Sequence, residues 1–481
     1  MNRKMVFRTV GQIMWIEALL MLFPAVVSLC YGEKCVWAFL IAVGISLVLG
    51  LALTLLCKPE NNVIYAKEGF IIVALAWIMM SLVGALPFYI SGEIPSYVDA
   101  LFETVSGFTT TGASILEDVE ALSRGLLFWR SFTHWIGGMG VIVFVMAIIP
   151  NLSDRPIHIM RAEMPGPIIG KIVPKAKDTA KILYLIYIVM TAAEVVLLLF
   201  GGLNIYESLV YSFGTAGTGG FGIKADGLSS YSPYVQWVIA VFMTLFGVNF
   251  NLYYLILIRK AKNAFKSTEL WTYLGIIVFS VTMITINIMP LVGAFSDAIR
   301  TSLFQVSSLI TTTGYATADF NLWPELSKGI LLTLMFIGGC AGSTAGGLKI
   351  SRVILLFKIL RKEVRHMLHP RSVNSVRFEG KSIDKATEYS VNVYFIIYVI
   401  CFFSIFLLLC IEPYDMETHF TAAASCFNNI GPGFSLVGPM ENFGFYTPFS
   451  KIILSVAMLL GRLEIFPLII FVSPSAWSSK K

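Results

Sequence analysis

"SGFTTTGAS" at residues 106–114 and "SSLITTTGYAT" at residues 307–317 are nearly one phrase written twice. Placing Gly112 over Gly314 aligns "FETVSGFTTTG" (102–112) with "FQVSSLITTTG" (304–314), so that Phe, Ser and TTTG fall at matching offsets. Two weaker copies follow the same alignment. "LVYSFGTAGTG" ends at Gly219, and "TAAASCFNNIG" ends at Gly431 and keeps the Ser. The four glycines stand 107, 95 and 117 residues apart, the signature of an internal repeat. Each copy is preceded by an apolar helix and a short segment (97–108, 205–216, 298–310 and 417–427), and followed by a polar connection and a second apolar helix. At about 1.5 Å per residue these short segments cannot cross roughly 30 Å of hydrocarbon. They read as helices that enter partway and return as a loop.

Composition sets the solvent. Hydrophobic residues make up 57% of the chain and charged ones 13%, against roughly 25% charged in an ordinary soluble domain, so the chain lives in a bilayer. Apolar stretches of spanning length recur near 11–31, 36–57, 68–91, 127–149, 180–202, 233–258, 270–291, 328–358, 389–411 and 449–473, which predicts ten crossings. The first carries Arg3, Lys4 and Arg8 in front of it, as a secretory signal does, but is too long for a signal core and is read as a helix.

Lys and Arg are retained on the cytoplasmic side of short loops. With the amino terminus inside, segments 1–10, 58–67, 150–181, 259–268 and 349–385 hold 3, 2, 6, 4 and 10 of them, 25 of the 35 in the chain. The outer connections carry acids such as Glu93, Asp99, Glu117, Asp226, Asp319 and Glu417. Both termini are therefore expected in the cytoplasm. The net charge of +6 needs no nucleic acid to explain it, although the 349–385 run also suits anionic membrane lipid or a partner. Of the seven cysteines only Cys30 and Cys35 flank one outer turn, a weak prospect for a disulfide. His366 and His369 lack further metal ligands, and no catalytic constellation stands out.

Irregular backbone at membrane depth is tolerated where it is buried in protein or lines water. Four equivalent loops can converge on one axis, with the carboxyl ends of their short helices, and hence the negative ends of their dipoles, aimed at it. The loop carbonyls can then replace the hydration shell of a cation, and Gly permits the backbone angles and close approach this needs. No Asp or Glu occurs within TTTGA, GTGGF, TTTGY or NIGPG, which favours a dehydrated monovalent ion over a divalent one. The competing reading is that these glycines serve close helix packing.

With "HWIGGMGVIVF" (134–144), "RAEMPGP" (161–167) and "GGCAGSTAGGLKISR" (338–352), the four loops resemble the TrkH potassium-uptake proteins within the Trk/Ktr/HKT cation-transporter superfamily. The resemblance spans essentially the whole chain. It implies an all-α polytopic membrane protein in which four helix–re-entrant loop–helix repeats surround one pseudo-fourfold ion pore, with two extra N-terminal helices. The corresponding division is 1–67 for the extra pair, then repeats at 68–179, 180–268, 269–388 and 389–481. It implies selectivity for K⁺ and Rb⁺ over Na⁺, a homodimer with one pore per subunit, and a place in the bacterial inner membrane. The carried-over K⁺ filter is Thr110, Thr111 and Gly112; Gly217, Thr218 and Gly219; Thr312, Thr313 and Gly314; and Asn429, Ile430 and Gly431. Plant relatives with Ser at the first filter glycine are linked with Na⁺ transport. No covalent cofactor is implied: ATP or NAD would act only through a cytosolic TrkA-type nucleotide-binding ring, for which 349–385 and 150–181 are the candidate contacts.

Five glycines in "GGCAGSTAGG" (338–347) interrupt the eighth crossing, and at about 1 kcal/mol each relative to Ala they predict an unwound segment. In the family this is the intramembrane gating loop, which assigns Gly338, Gly339, Gly342, Ser343, Thr344, Gly346 and Gly347 to the gate. A phosphate-binding P-loop is the weaker alternative, because Leu348 separates GSTAGG from Lys349 and no strand precedes it. Arg462, 13 residues into the last crossing, is a costly intramembrane charge. Beneath a cation filter it would oppose occupancy, and the resemblance places it against the gating loop; pairing with Glu464 alone is the other reading. Two other classes stand beside a pore. One is a secondary transporter using Glu17 or Glu194 as a proton carrier, which the common direction of the four repeats disfavours. The other is a membrane enzyme, for which no paired acid, metal cluster or nucleophile is present.

Overall fold

A computed structural model describes residues 1–59, 64–140, 176–372 and 375–477. Among these residues six helices are long and apolar enough to cross a membrane: α1 (Arg3–Cys30), α2 (Val36–Leu56), α3 (Ala66–Gly84, prolonged to Ile90), α6 (Ala176–Phe200), α10 (Thr268–Val292) and α14 (Lys385–Leu409). Four shorter helices, α4 (Tyr97–Phe108), α7 (Ile205–Gly217), α11 (Phe295–Ile310) and α15 (Met416–Asn428), coincide with the predicted partway segments. The helices that follow them are α5 (Arg124–Gly138), α8 (Pro233–Phe246) with α9 (Phe250–Leu257), α12 (Glu325–Ile337) with α13 (Ile350–Leu368), and α16 (Pro448–Arg462) with α17 (Phe466–Val472).

This second set is where the predicted crossings are interrupted. One interruption is expected from the sequence, at 338–347, and the structure indeed leaves 338–349 outside any helix. Two further breaks appear. Helices α8 and α9 meet at 90°, and α16 and α17 at 120°, so the described residues hold six straight spans and up to eight if each bent pair is one. The predicted crossing at 127–149 is described only as far as Gly140. The break at 247–249 survives because its backbone groups are partnered: Gly247 O accepts from Cys340 N–H at 3.0 Å, and Phe250 N–H donates to Gly342 O at 3.0 Å. The irregular segment of one helix thus satisfies the irregular segment of another, which is what permits either at membrane depth.

Helices α1 and α2 pack through small residues. A Cβ on Gly11 would lie 2.9 Å from the Gly50 carbonyl oxygen and one on Gly50 would lie 2.8 Å from that of Gly11, while Ser46 Oγ donates to Met14 O at 2.8 Å. Cys30 and Cys35 are separate thiols, Cys35 being buried with Sγ 3.1 Å from Ser28 Oγ.

Each of the four short helices carries one acid in its first turn, Asp99, Glu207, Asp297 and Glu417, complementing the positive end of its dipole. Three have side-chain N-caps, Ser96, Asn204 and Asp415. The acids mark where these helices begin, and their other ends lie in the protein interior.

The all-α expectation needs one amendment: residues 377–378 and 381–382 form a two-stranded antiparallel hairpin. Its turn residues Glu379 and Gly380 have φ of 49° and 75°, suited to a tight two-residue loop. Glu379 Oε1 accepts from Ser267 Oγ at 3.0 Å and from Glu269 N–H at 3.1 Å, capping α10 from outside its own chain segment. Replacing Glu379 with Ala is expected to destabilise the protein by about 1 kcal/mol, as loss of a cap does, read as a lower unfolding midpoint in mild detergent.

Candidate ion pore

The four short helices end alike. At each carboxyl end a residue in the left-handed region turns the chain: Thr110 (φ 55°), Thr218 (56°), Thr312 (55°) and Asn429 (57°). The next residue's N–H reaches back five positions to a helix carbonyl, Thr111 to Ser106 at 2.9 Å, Gly219 to Gly214 at 2.9 Å, Thr313 to Ser308 at 2.8 Å and Ile430 to Ser425 at 2.9 Å. This is a Schellman ending, in which Gly is the usual left-handed residue. A β-branched Thr there is an outlier held by its surroundings. Two residues after each of these caps stands a glycine of positive φ, Gly112 (80°), Gly220 (78°), Gly314 (84°) and Gly431 (105°).

That pattern corrects the second repeat by one residue. Gly220, not Gly219, stands where Gly112, Gly314 and Gly431 stand; Gly219 matches Thr111, Thr313 and Ile430; and Gly217 falls back to the level of Thr109 and Thr311. The alignment on the Thr-Gly pair of 218–219 fails because the left-handed cap is Thr218.

The loops meet in a closed cycle. A Cβ on Gly112 would collide with the Gly219 carbonyl oxygen, one on Gly220 with that of Thr313, one on Gly314 with that of Ile430, and one on Gly431 would lie 2.8 Å from that of Thr111. Each loop therefore presses the same carbonyl into the notch of the same glycine on the loop before it, second onto first, third onto second, fourth onto third and first onto fourth. Among the described residues no hydrogen bond reaches the carbonyl oxygens of Thr111, Gly219, Thr313 or Ile430, nor those of Thr110, Thr218, Thr312 and Asn429. These residues are buried, where an unpartnered carbonyl needs another source of positive charge. The glycines Gly112, Gly220, Gly314 and Gly431 all line one outer cavity of about 140 Å³.

Sequence reasoning missed Glu103, Arg130 and His134, which help to hold this ring. Glu103 and Arg130 form an ion pair that is essentially inaccessible to solvent; Arg130 also donates to Gly222 O and Ser114 Oγ, each at 3.1 Å, and Glu103 accepts from Ile115 N–H at 3.1 Å. The pair ties the first loop to the second. Only its two charges in apolar surroundings signal it in the sequence. His134 joins the same two loops, and Asn429 Nδ2 joins the fourth to the first by donating to Thr111 Oγ1 at 3.0 Å.

Below the ring lies the 338–349 segment. Gly346 N–H donates to Thr312 Oγ1 at 2.6 Å and Gly347 N–H to Asn428 O at 3.1 Å, so these amides are taken by the ring and are not a phosphate cradle. Arg462, the last residue of α16, donates from Nη1 to Thr344 O at 2.9 Å and from Nη2 to Gly137 O at 2.5 Å and Gly138 O at 2.6 Å. It thereby ties the irregular segment to the end of α5. Glu464 pairs with Arg352 at the start of α13, so local pairing with Arg462 does not account for that carboxylate. An inner cavity of about 50 Å³ is lined by Gly138, Gly346, Lys349, Arg462 and Glu464 among others. Glu17 and Glu194 are fully buried and line neither cavity.

Fold and site define a class: a multi-pass helical membrane protein in which four loops close on one another with carbonyls that are unpartnered among the described residues. A family model described as TrkH, a cation transport protein, matches residues 37–481. The chain is 34% identical over 485 residues to the Trk system potassium uptake protein TrkH of Escherichia coli K12, covering 99% of this chain and 100% of that one. It is 35% identical over 480 residues to TrkG of the same organism, covering 98% and 97%. The crystal structure of the potassium transporter TrkH from Vibrio parahaemolyticus matches with a TM-score of 0.89 at 31% identity, over 99% of this chain and 100% of that one. The chain belongs to the TrkH family of cation transport proteins.

Proposed function

We propose that this chain takes up K⁺ through a single pore selective for K⁺ and Rb⁺ over Na⁺. The filter consists of Thr110, Thr111 and Gly112; Thr218, Gly219 and Gly220; Thr312, Thr313 and Gly314; and Asn429, Ile430 and Gly431. The observation that carries this reading is the closed cycle in which one carbonyl of each loop rests on the glycine of the loop before it while accepting no hydrogen bond among the described residues. Oxygens so arranged stand in for a hydration shell. The relatives named above are potassium uptake proteins, which agrees with the uncharged loops. The test is uptake of radiolabelled Rb⁺ into proteoliposomes under competition by K⁺, Na⁺ and Li⁺, with and without an imposed pH gradient. K⁺ is expected to compete far better than Na⁺ or Li⁺; equal competition by all three would overturn the reading. Dependence on the gradient separates symport from passive flow.

The gate in this proposal is the 338–349 segment with Arg462, because it bonds to the ring through Gly346 and Gly347 and to α16 through Thr344. Movement that opens the pore must exchange these bonds. A cytosolic nucleotide-binding ring would drive it, docking on the basic 349–385 stretch; the other candidate contact, 150–181, lies outside the described residues up to 175. The chain would sit in the bacterial inner membrane with both termini in the cytoplasm, as the distribution of Lys and Arg requires.

A homodimer is supported by α13. Phe357, Leu360, Val364 and Met367 are 68%, 59%, 47% and 78% exposed and recur at the 3-4-3 spacing of a helix seam. The partner in this reading is a second copy laid along the same seam. Replacing Phe357 and Val364 together with Glu is expected to yield monomers in size-exclusion chromatography with light scattering, with Rb⁺ uptake per subunit retained.

A further inference from the structure

The second loop lacks the side chains that brace the others. In the first and third, hydroxyls pair across the turn, Thr109 with Thr111 and Thr311 with Thr313, each at 2.8 Å. In the fourth, Asn429 Nδ2 donates to Met458 O at 2.9 Å as well as to Thr111. The matching positions of the second loop are Gly217 and Gly219, followed directly by Gly220. Three glycines in four residues would leave this quarter of the ring poorly defined, yet its carbonyl at Gly219 has to hold the same place as the other three.

What fills the missing volume comes from the preceding repeat. The carbonyl oxygen of His134 occupies the place of a Cβ on Gly217, and its imidazole atoms Cγ, Nδ1 and Cδ2 occupy the place of a Cβ on Gly219. Nδ1 lies 2.7 Å from Gly107 O and Nε2 lies 3.3 Å from Phe221 N. A carbonyl can only accept and an N–H can only donate, so the ring is neutral, with its proton on Nδ1. The imidazole also packs against the Phe221 ring, tilted by 31° with 4.3 Å between centroids. Tyr315, from the third repeat, completes the brace: its hydroxyl shares its proton between Phe221 O and Tyr211 O, each at 3.2 Å, and stands where Gly214 has no side chain, the position held by Ser106, Ser308 and Ser425 elsewhere. Phe221 is thus held by its N–H from one side and its carbonyl from the other.

We propose that His134 is a positioning residue for ion selectivity: this one residue of the first repeat fills the places of the two side chains missing from the second loop, with its carbonyl at Gly217 and its imidazole at Gly219, and fixes the Gly219 carbonyl in the ring. The inference rests on the filter reading above. It also explains why the second repeat departs from TTTG, since a Thr at 219 and an imidazole at 134 cannot share one volume.

The test uses the purified full-length chain in proteoliposomes and reads radiolabelled Rb⁺ uptake together with the Na⁺ concentration that halves it. Four variants are compared at equal amounts of monodisperse protein: His134→Ala, His134→Asn, Gly219→Ala, and His134→Ala with Gly219→Ala. His134→Ala should still take up Rb⁺, with Na⁺ competing at about tenfold lower concentration, the scale of one lost buried hydrogen bond. His134→Asn keeps a donor toward Gly107 and loses the acceptor toward Phe221, and should show the same loss of discrimination even if the alanine variant does not fold. Gly219→Ala should lose uptake, and the double variant should regain it, because the methyl enters the space the ring has left. A merely structural histidine would change the amount of folded protein and leave the Na⁺ competition alone. Wild-type Na⁺ competition in the His134 variants, normal uptake by Gly219→Ala, or a double variant as inactive as Gly219→Ala would each overturn the proposal. A wild-type protein that fails to distinguish Rb⁺ from Na⁺ would overturn the filter reading itself, and this inference with it.

Discussion

Gly112→Ala is expected to abolish Rb⁺ uptake, with flux down at least about a hundredfold at unchanged surface expression. Two penalties combine at this position. Its φ of 80° costs an L-residue about 1–2 kcal/mol, and the new methyl would occupy the place of the Gly219 carbonyl oxygen. The second effect is the larger, because that oxygen belongs to the ring and cannot retreat without leaving it. Gly202→Ala separates the two. Gly202 has a comparable φ of 88° and nothing within 4 Å of a Cβ, so this substitution should cost stability and spare transport. Gly431→Ala should resemble Gly112→Ala, since its φ of 105° is unfavourable and Thr111 O lies 2.8 Å away. Equal flux through Gly112→Ala and Gly202→Ala, read as Rb⁺ uptake per folded protein, would show that the carbonyl notch does not matter.

The same notch explains what was legible in the sequence. A backbone position that admits only glycine, two residues after a Thr or Asn forced into a left-handed turn, leaves a mark that composition cannot hide, and in the first, third and fourth repeats the aligned glycine is the one of positive φ. In the second repeat two glycines stand side by side, and nothing in "GTGG" says which one carries the positive φ; the helix must end before the register is known. The break at 338–349 was legible because five glycines cannot be mistaken for helix interior. The break at 247–249 was not, because Gly247, Asn249 and Asn251 are few polar or small residues in a long apolar stretch and its cause lies elsewhere: Cys340 and Gly342 from another repeat satisfy it. Arg462 announced itself as a charge within a span. Its three carbonyl partners come from segments more than a hundred residues away, and no local pattern encodes such contacts. His134 and the Glu103–Arg130 pair were missed for the same reason. Their roles exist only once two repeats are adjacent.

Arg462→Ala is expected to raise Rb⁺ flux in the absence of any regulatory partner, and the form of the increase distinguishes two jobs for this side chain. As a fixed positive charge between the ring and the inner side, it opposes the exit of a cation by roughly 1–2 kcal/mol at separations of about 8–16 Å and an effective dielectric of about 20. Removing it would then speed passage about tenfold or more. As a tether, it holds Thr344 of the irregular segment to Gly137 and Gly138 of α5 through two different nitrogens, and in the gate proposed above its removal would free that segment. Arg462→Lys keeps the charge and loses the fork, because a single ammonium cannot span what a planar guanidinium spans. If charge dominates, the lysine variant should remain nearly as closed as wild type; if the tether dominates, it should leak almost as much as the alanine variant. The tether is favoured, since all three bonds end on backbone carbonyls, of the 338–349 segment and of the end of α5, which in the proposed gate must part. Flux unchanged in both variants at equal surface expression would remove Arg462 from the gate altogether.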